Sequence, residues 1–335
     1  MWNLKLSSPV FFSTMCLGLL LMLGAQDWLS IWIGMEINMY SFIPLMLMSS
    51  TSKPQEAATK YFLIQALGSG MLLLGMFSHL SPNLHTMIIS MALIMKAGIA
   101  PLHFWYPSVM NVLPWWPCLI LTTLQKTGPI LLIIHTLNNH SMMSSTLAAM
   151  SAATGALGGL NQTQLRAILA YSSIGHMGWI LGASMLSSLV AKLYFFLYIL
   201  TISSIMMIMM MSQSSSNAQP LTQTNQYPFT KPSLMILMLS LGGVPPLLGF
   251  FPKLMVISML CSNNFTKLPL ILIASSMLNM FYYLKIVYSS FFTAPSKTFN
   301  MTSWLLPLPL NMSIISTTAL SSTLGLILVM PFITL

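Results

Sequence analysis

Four charged side chains stand where an apolar chain has least reason to keep them. Glu36, Lys96 and Lys126 fall about 12, 15 and 18 Å along long hydrophobic runs, counted at about 1.5 Å per helical residue. Lys253 follows a Gly/Pro break in another such run. Each costs about 2.5–3.5 kcal/mol at mid-membrane on an insertion scale, and the four together roughly 10–14 kcal/mol if additive. The chemistry that such residues permit is proton carriage. Lysine in water titrates near about 10.4; desolvation disfavours the ammonium and a nearby carboxylate favours it. If Glu36 approaches Lys96, the pair is mutually stabilised and the lysine keeps its proton. If the two separate, both move toward neutrality and protons can be handed along. The alternative is a set of static ion pairs holding helices together, but one acid cannot neutralise three lysines.

The elements that must position these residues are membrane helices. The chain has 335 residues, 56% hydrophobic and 4% charged, with 12 Lys+Arg against 3 Asp+Glu, and a mean hydropathy of +0.82. A soluble domain carries about 25% charged residues, so this chain cannot coat a water-facing surface. That excludes a soluble enzyme and a disordered chain. The basic residues are scattered singly, without the stripe that a nucleic-acid binder needs. Cys16, Cys118 and Cys261 show no CxxC spacing and suggest neither a metal nor a disulfide framework. The first apolar run, Val10–Ala25, reads as a span and not as a cleaved signal.

A span needs roughly 20 apolar residues, and about eleven such runs follow: 8–25, 28–49, 56–77, 86–106, 114–136, 143–160, 166–186, 189–211, 232–261, 268–292 and 309–334. Breakers such as Gln26-Asp27, Lys53-Pro54 and Asn161-Gln162-Thr163 separate them. The polar stretch Ser212–Pro232 is a loop, too short to house a core. Membrane-depth backbone must be bonded internally, which makes helices the expectation. Lys5, Lys53, Arg166, Lys231 and Lys297 collect on the N-terminal side, against Lys267, Lys192 and Asp27 opposite. By the positive-inside rule the N-terminus then lies on the positive side, cytoplasm or matrix, and the C-terminus across the membrane.

Two spans share a pattern. Lys96-Ala-Gly-Ile-Ala-Pro-Leu-His-Phe104 and Gly243-Val-Pro-Pro-Leu-Leu-Gly-Phe250, followed by Phe251-Pro252-Lys253, both read Gly-[Ile/Val]-x-Pro-Leu with a nearby lysine. Glycine and proline open the hydrogen-bond ladder, tolerated where protein or a water-filled cavity supplies partners. The broken spans are fourth and ninth, five apart, which is the signature of an inverted repeat. We expect a single membrane domain, 1–335, with repeat one at about 8–136, repeat two at about 143–292 and an extra helix at about 309–334. Under this repeat Lys285 is the partner of Lys126, and His176 that of Glu36.

Other charges and rings have plainer readings. Glu56 and Lys60, at i and i+4 in the first turns of the third span, suit a local pair, with a functional Lys60 as the alternative. Arg166 opens the seventh span as an interfacial anchor. His103 and His176 could ligate a haem, but no second histidine pair has the spacing for it. His79, His85, His135 and His140 fall at helix ends, and Trp115-Trp116 reads as an aromatic belt. Methionines, 32 in all, are adaptable packing residues. There is no GxGxxG, Walker A or CxxC element to bind a nucleotide or an iron–sulfur cluster.

Gly34-Met-Glu-Ile-Asn-Met39, Glu56-Ala-Ala-Thr-Lys-Tyr-Phe62, Lys96–Trp105 and Gln125-Lys-Thr-Gly-Pro129 resemble the NADH–ubiquinone oxidoreductase chain 2 family. So do Gly158–Arg166, Tyr171–Trp179 and Leu241–Lys253. The resemblance runs from about residue 30 to 290; Asn311–Leu335 matches only in hydropathy. It implies a mitochondrially encoded, antiporter-like subunit of respiratory complex I in the inner membrane, partnered by the other membrane-arm subunits. Its carboxylate–lysine pair falls on Glu36 and Lys96, the central lysine on Lys126, the distal channel lysine on Lys253 and a further lysine on Lys60. His176 is in place too. The resemblance assigns NADH, FMN, iron–sulfur clusters and ubiquinone to other subunits and no cofactor or metal to this chain. It puts the N-terminus on the matrix side and the C-terminus on the intermembrane-space side. The expected function is proton translocation, as part of an H+-translocating NADH:ubiquinone reductase. The alternatives are a self-contained cation/proton antiporter and a structural scaffold.

Overall fold

The computed structural model describes residues 8–48, 53–77, 82–137, 141–211, 230–245 and 247–292. The expected span 309–334, most of the polar loop, Lys5, His79, His140 and Lys297 lie outside the described residues. Every regular element described is helical, as expected: α1 (Ser8–Gly24), α2 (Trp28–Met46), α3 (Lys53–Phe77), α4 (Pro82–Ala97), α5 (Trp105–Val112), α6 (Trp115–Thr122), α7 (Leu124–Thr136), α8 (Ser141–Leu160), α9 (Leu165–Ser184), α10 (Ser188–Met211), α11 (Thr230–Gly242), α12 (Phe250–Ser262) and α13 (Lys267–Phe292). Among them four stretches are by themselves long and apolar enough to cross a membrane: Lys53–Phe77, Trp115–Thr136, Ser188–Met210 and Lys267–Ser289. Three shorter apolar helices, Leu84–Ala97, Pro232–Gly242 and Phe250–Ser262, are arms of broken spans.

The two expected breaks are built alike. At Gly98, φ is +70°, and at Gly243 it is +82°, a left-handed conformation that glycine adopts without a Cβ clash. Gly98 N–H donates to Met95 O at 3.3 Å and Ile99 N–H to Ile94 O at 3.1 Å; Gly243 N–H donates to Ser240 O at 3.0 Å and Val244 N–H to Leu239 O at 3.3 Å. Both are Schellman ends, which satisfy the last carbonyls of α4 and α11. Side chains complete the work. Trp105 Nε1 donates to Met95 O at 3.1 Å, Gln65 Nε2 to Lys96 O at 3.1 Å and Lys253 Nζ to Gly242 O at 2.7 Å.

A third break corrects the expectation of one continuous span over 114–136. The helix parts at Thr123 (φ −110°, ψ −81°) between α6 and α7. Pro129, inside α7, has no N–H for the carbonyl four residues before it and clashes with it. The ladder is released just N-terminal to Lys126. Thr123 Oγ1 turns back to Leu119 O at 2.7 Å.

Close packing rests on glycine. On α1 and α2, a Cβ on Gly18 would meet Gly34 O at 2.9 Å, and one on Gly34 would meet Gly18 O at 2.8 Å. Gly155 and Gly178 bring α8 and α9 equally close, backbone to backbone. Small residues allow such approach where lipid supplies no hydrophobic drive between helices. Helix α9 is the most enclosed, with every residue from Ser172 to Ser184 buried; it packs on α5, α8, α10, α12 and α13.

Candidate functional site

The buried charges gather along the middle of this bundle. Glu36 on α2 meets Lys96, the penultimate residue of α4, at 4.0 Å. The contact is an ion pair without a hydrogen bond, and Glu36 Oε1 has no hydrogen-bond partner. Lys96 is held at that depth because α4 ends beside it in the Gly98 turn. Lys126, in the first turn of α7, points at α9: its Nζ donates to Ser173 Oγ at 3.1 Å and sits 4.0 Å from the centre of the Tyr106 ring. That ring supplies cation–π stabilisation to an otherwise unpaired ammonium. Lys253, on the first turn of α12, bonds Gly242 O and lies 5.9 Å from the Trp179 ring.

His176 lies between the last two lysines, within electrostatic reach of both. Its Nδ1 is 3.0 Å from Tyr194 Oη, and its ring also packs on Tyr198 at 5.3 Å. These contacts place it among tyrosines. His103 turns elsewhere, stacking on Phe104 with Nδ1 3.3 Å from Pro101 O. Among the described residues no three His, Cys, Asp or Glu side chains gather as a metal site. Arg166 lies 4.8 Å over Trp115, tying the start of α9 to the start of α6.

Two expected relay residues are not brought into this row. Lys60 is exposed, because the inward face of α3 is Ala57, Tyr61, Gln65, Gly68 and Leu72. Lys285 is exposed on α13, whose buried face near it is Tyr282, Tyr283, Ile286 and Val287. Other polar residues escaped the sequence reading. Tyr61 Oη donates to Gln125 Oε1 at 3.0 Å, and Gln125 Nε2 donates to Asn38 Oδ1 at 2.9 Å. This chain ties α3 and α2 to α7 between the Glu36–Lys96 pair and Lys126. The spacings Glu36-x-Asn38 and Gln125-Lys126 were the available signal. Gln125→Leu keeps the volume but leaves Tyr61 and Asn38 without this partner. Because an orphaned buried polar group costs about 1–3 kcal/mol, the variant is expected to lower the thermal stability of the detergent-solubilised assembly, read as loss of intact complex after a heating series.

Chemically, the row offers amines, an imidazole and a carboxylate, with hydroxyls between, all screened from the outer surface. Such an arrangement can hold and pass protons.

Residues 25–279 match the family described as NADH:quinone oxidoreductase/Mrp antiporter, TM. NADH-ubiquinone oxidoreductase chain 2 of Crocidura hildegardeae is 38% identical over 334 residues, covering 94% of this chain and 96% of the relative. A chain of respiratory complex I from Thermus thermophilus, solved with bound aureothin, superposes with a TM-score of 0.84 at 24% identity over 99% of this chain and 81% of that one. A chain of the Mrp complex from Dietzia sp. DQ12-45-1b superposes with a TM-score of 0.74 at 17% identity, covering 83% of this chain and 59% of the other. The two structures share its fold.

Proposed function

The chain belongs to the NADH:quinone oxidoreductase/Mrp antiporter family, and from that premise we propose that it is a proton-translocating membrane subunit of a respiratory NADH:ubiquinone oxidoreductase. The observation that carries the reading is the buried row itself. Glu36–Lys96, Lys126, His176 and Lys253 stand in sequence along the bundle, all three lysines beside helix breaks. Intramembrane ionisable residues that face a bundle interior mark proton and ion pathways. A stand-alone cation/proton antiporter would share the broken helices. The near-full-length likeness to NADH-ubiquinone oxidoreductase chain 2 favours the respiratory subunit.

In this reading the Glu36–Lys96 pair is the switch, Lys126 the central carrier, His176 the bridge and Lys253 the distal carrier. Repeat one and repeat two are inverted copies, each with one Schellman break. The N-terminus faces the matrix and the C-terminus the intermembrane space. The chain contributes translocation to the whole enzyme, while NADH, FMN, iron–sulfur clusters and ubiquinone are held by partner subunits. Because the pair at 4.0 Å is a charge contact without a hydrogen bond, separating it breaks no directional bond.

The test is Glu36→Gln in the assembled complex, reconstituted in liposomes, with proton pumping and NADH–quinone turnover recorded together. The expected result is a fall of about three- to tenfold in both, roughly 0.7–1.4 kcal/mol of barrier, with the complex assembled. Pumping and turnover equal to the parent would reject the assignment of Glu36 as the switch.

A further inference from the structure

Glu36 and Lys96 carry opposite charges in the bundle interior, yet Lys96 Nζ stops 4.0 Å from Glu36 Oε1. A charge-assisted N–H···O bond closes to about 2.7–2.9 Å, and the flexible four-carbon stem of a lysine can cover the remaining gap. Glu36 Oε1 has no hydrogen-bond partner that would hold it away from the amine. The restraint is on the lysine side, and α3 supplies it.

Three residues at i, i+4 and i+7 on the inner face of α3 account for it: Tyr61, Gln65 and Gly68. Gly68 lies against the lysine stem. A Cβ there would stand 2.9 Å from Lys96 Cγ and 3.5 Å from both Lys96 Cε and Ala92 O, so the stem runs along the groove that the missing side chain leaves. Glycine inside a helix is destabilising relative to alanine; here it permits an approach that alanine would not. Gln65 holds the backbone of the same lysine. The Gly98 turn bonds Ile94 O and Met95 O, and Lys96 O is taken by Gln65 Nε2 at 3.1 Å. Tyr61 fixes α3 itself. Its hydroxyl donates to Gln125 Oε1 on α7 at 3.0 Å, and its ring meets Phe42 of α2 at 5.3 Å and Trp105 of α5 at 5.8 Å. With anchors on three other helices, the groove keeps its place when the ammonium moves.

We propose that Gly68 and Gln65 are positioning residues of the Glu36–Lys96 pair, forming a seat on α3 that holds the ammonium short of a hydrogen bond with the carboxylate. This rests on the reading of that pair as the switch. The seat sets the pair at charge contact only, so that it opens and closes by small movements of the lysine tip while the stem and the carbonyl stay fixed.

The test is a double-substitution cycle in the assembled complex in liposomes. Gly68→Ala and Glu36→Gln are made singly and together, with coupled NADH–quinone turnover as the readout and native electrophoresis for the amount of complex. Alanine favours the helix but fills the groove. Gly68→Ala is therefore expected to assemble normally, with turnover lowered about two- to fivefold. In the Glu36→Gln background the same change is expected to lower turnover no further, because no ion pair is left to set. Residues that act through one interaction are non-additive, whereas independent effects add. Gly70→Ala, on the outward face of α3 where a Cβ meets nothing within 4 Å, is expected to leave turnover unchanged in both backgrounds. Parental turnover in Gly68→Ala would overturn the seat. So would an equal fall in both backgrounds, which assigns Gly68 to packing. If Gly68→Ala does not assemble, Gln65→Leu, which removes the donor to Lys96 O at similar volume, is carried through the same cycle. Failure of both to assemble also overturns the proposal, since it assigns the two residues to folding. The premise is judged separately: Glu36→Gln at parental turnover removes the switch reading, whereas a slow Glu36→Gln beside a parental Gly68→Ala removes only the seat.

Discussion

Lys126→Met is expected to abolish coupled turnover while leaving the complex assembled. Methionine matches the length and flexibility of lysine, so the space between α7 and α9 stays filled. Ser173 loses one partner but keeps its own bond to Ala170 O at 2.6 Å. The Tyr106 ring, now facing a thioether in place of an ammonium, retains a favourable sulfur–aromatic contact. What disappears is the titratable nitrogen midway between the Glu36–Lys96 pair and His176. Proton pumping and NADH–quinone turnover are expected to fall together by about tenfold or more, a barrier increase of about 1.4 kcal/mol or greater. Native electrophoresis should show a normal amount of complex. Pumping at parental stoichiometry and rate would make the buried lysines packing residues and the chain a scaffold.

The second large effect lies in assembly. A Cβ on Gly155 would stand 2.5 Å from Gly175 N, 2.7 Å from Tyr171 O and 2.8 Å from Gly175 Cα. All three are backbone atoms of α9, so no side chain can rotate out of the way and the helices must separate. Overpacking a well-fitted interface costs about 1–3 kcal/mol and occasionally more, and here it strikes the helix that carries Ser173 and His176. Gly155→Val is expected to reduce the assembled complex several-fold on a native gel. Gly70→Ala supplies the control, since a Cβ there meets nothing within 4 Å; its assembly should equal the parent's. Equal assembly of the two variants would mean that α8 and α9 are not held in this contact.

How much of this was legible from the residues depends on what kind of signal each carries. A charge in an apolar run announces itself, and Glu36, Lys96, Lys126 and Lys253 were readable as buried for that reason. Glycine followed by proline announces a break, and both Schellman turns stand where Gly98 and Gly243 predicted. The break at Thr123 was missed because proline acts on the turn before it: Pro129 marks a disturbance that appears up to six residues earlier, in a stretch with no breaker of its own. Lys60 enters the relay through the resemblance and Lys285 through its place in the repeat, and neither signal says which way a side chain faces, because facing depends on the packed neighbours. The tyrosines were invisible as a group. Tyr194 and Tyr198 sit in an apolar helix where a ring is ordinary, and only the packing of α10 on α9 sets them against His176.

The bond from Lys253 to Gly242 O has a consequence for how variants of this chain are interpreted. In the proposed relay that ammonium is a carrier, and it is also the clasp on the last carbonyl of α11, so the two roles cannot be deleted separately by truncation. Lys253→Met removes a proton site and also leaves a buried carbonyl without this donor, a loss of about 1–3 kcal/mol that has nothing to do with transport. A silent complex in that background is therefore confounded, in a way that Lys126→Met is not. Arginine at 253 would keep donors for the clasp while holding its charge at all working pH values. Comparing it with methionine turns one ambiguous position into two separable measurements, of anchoring and of carriage.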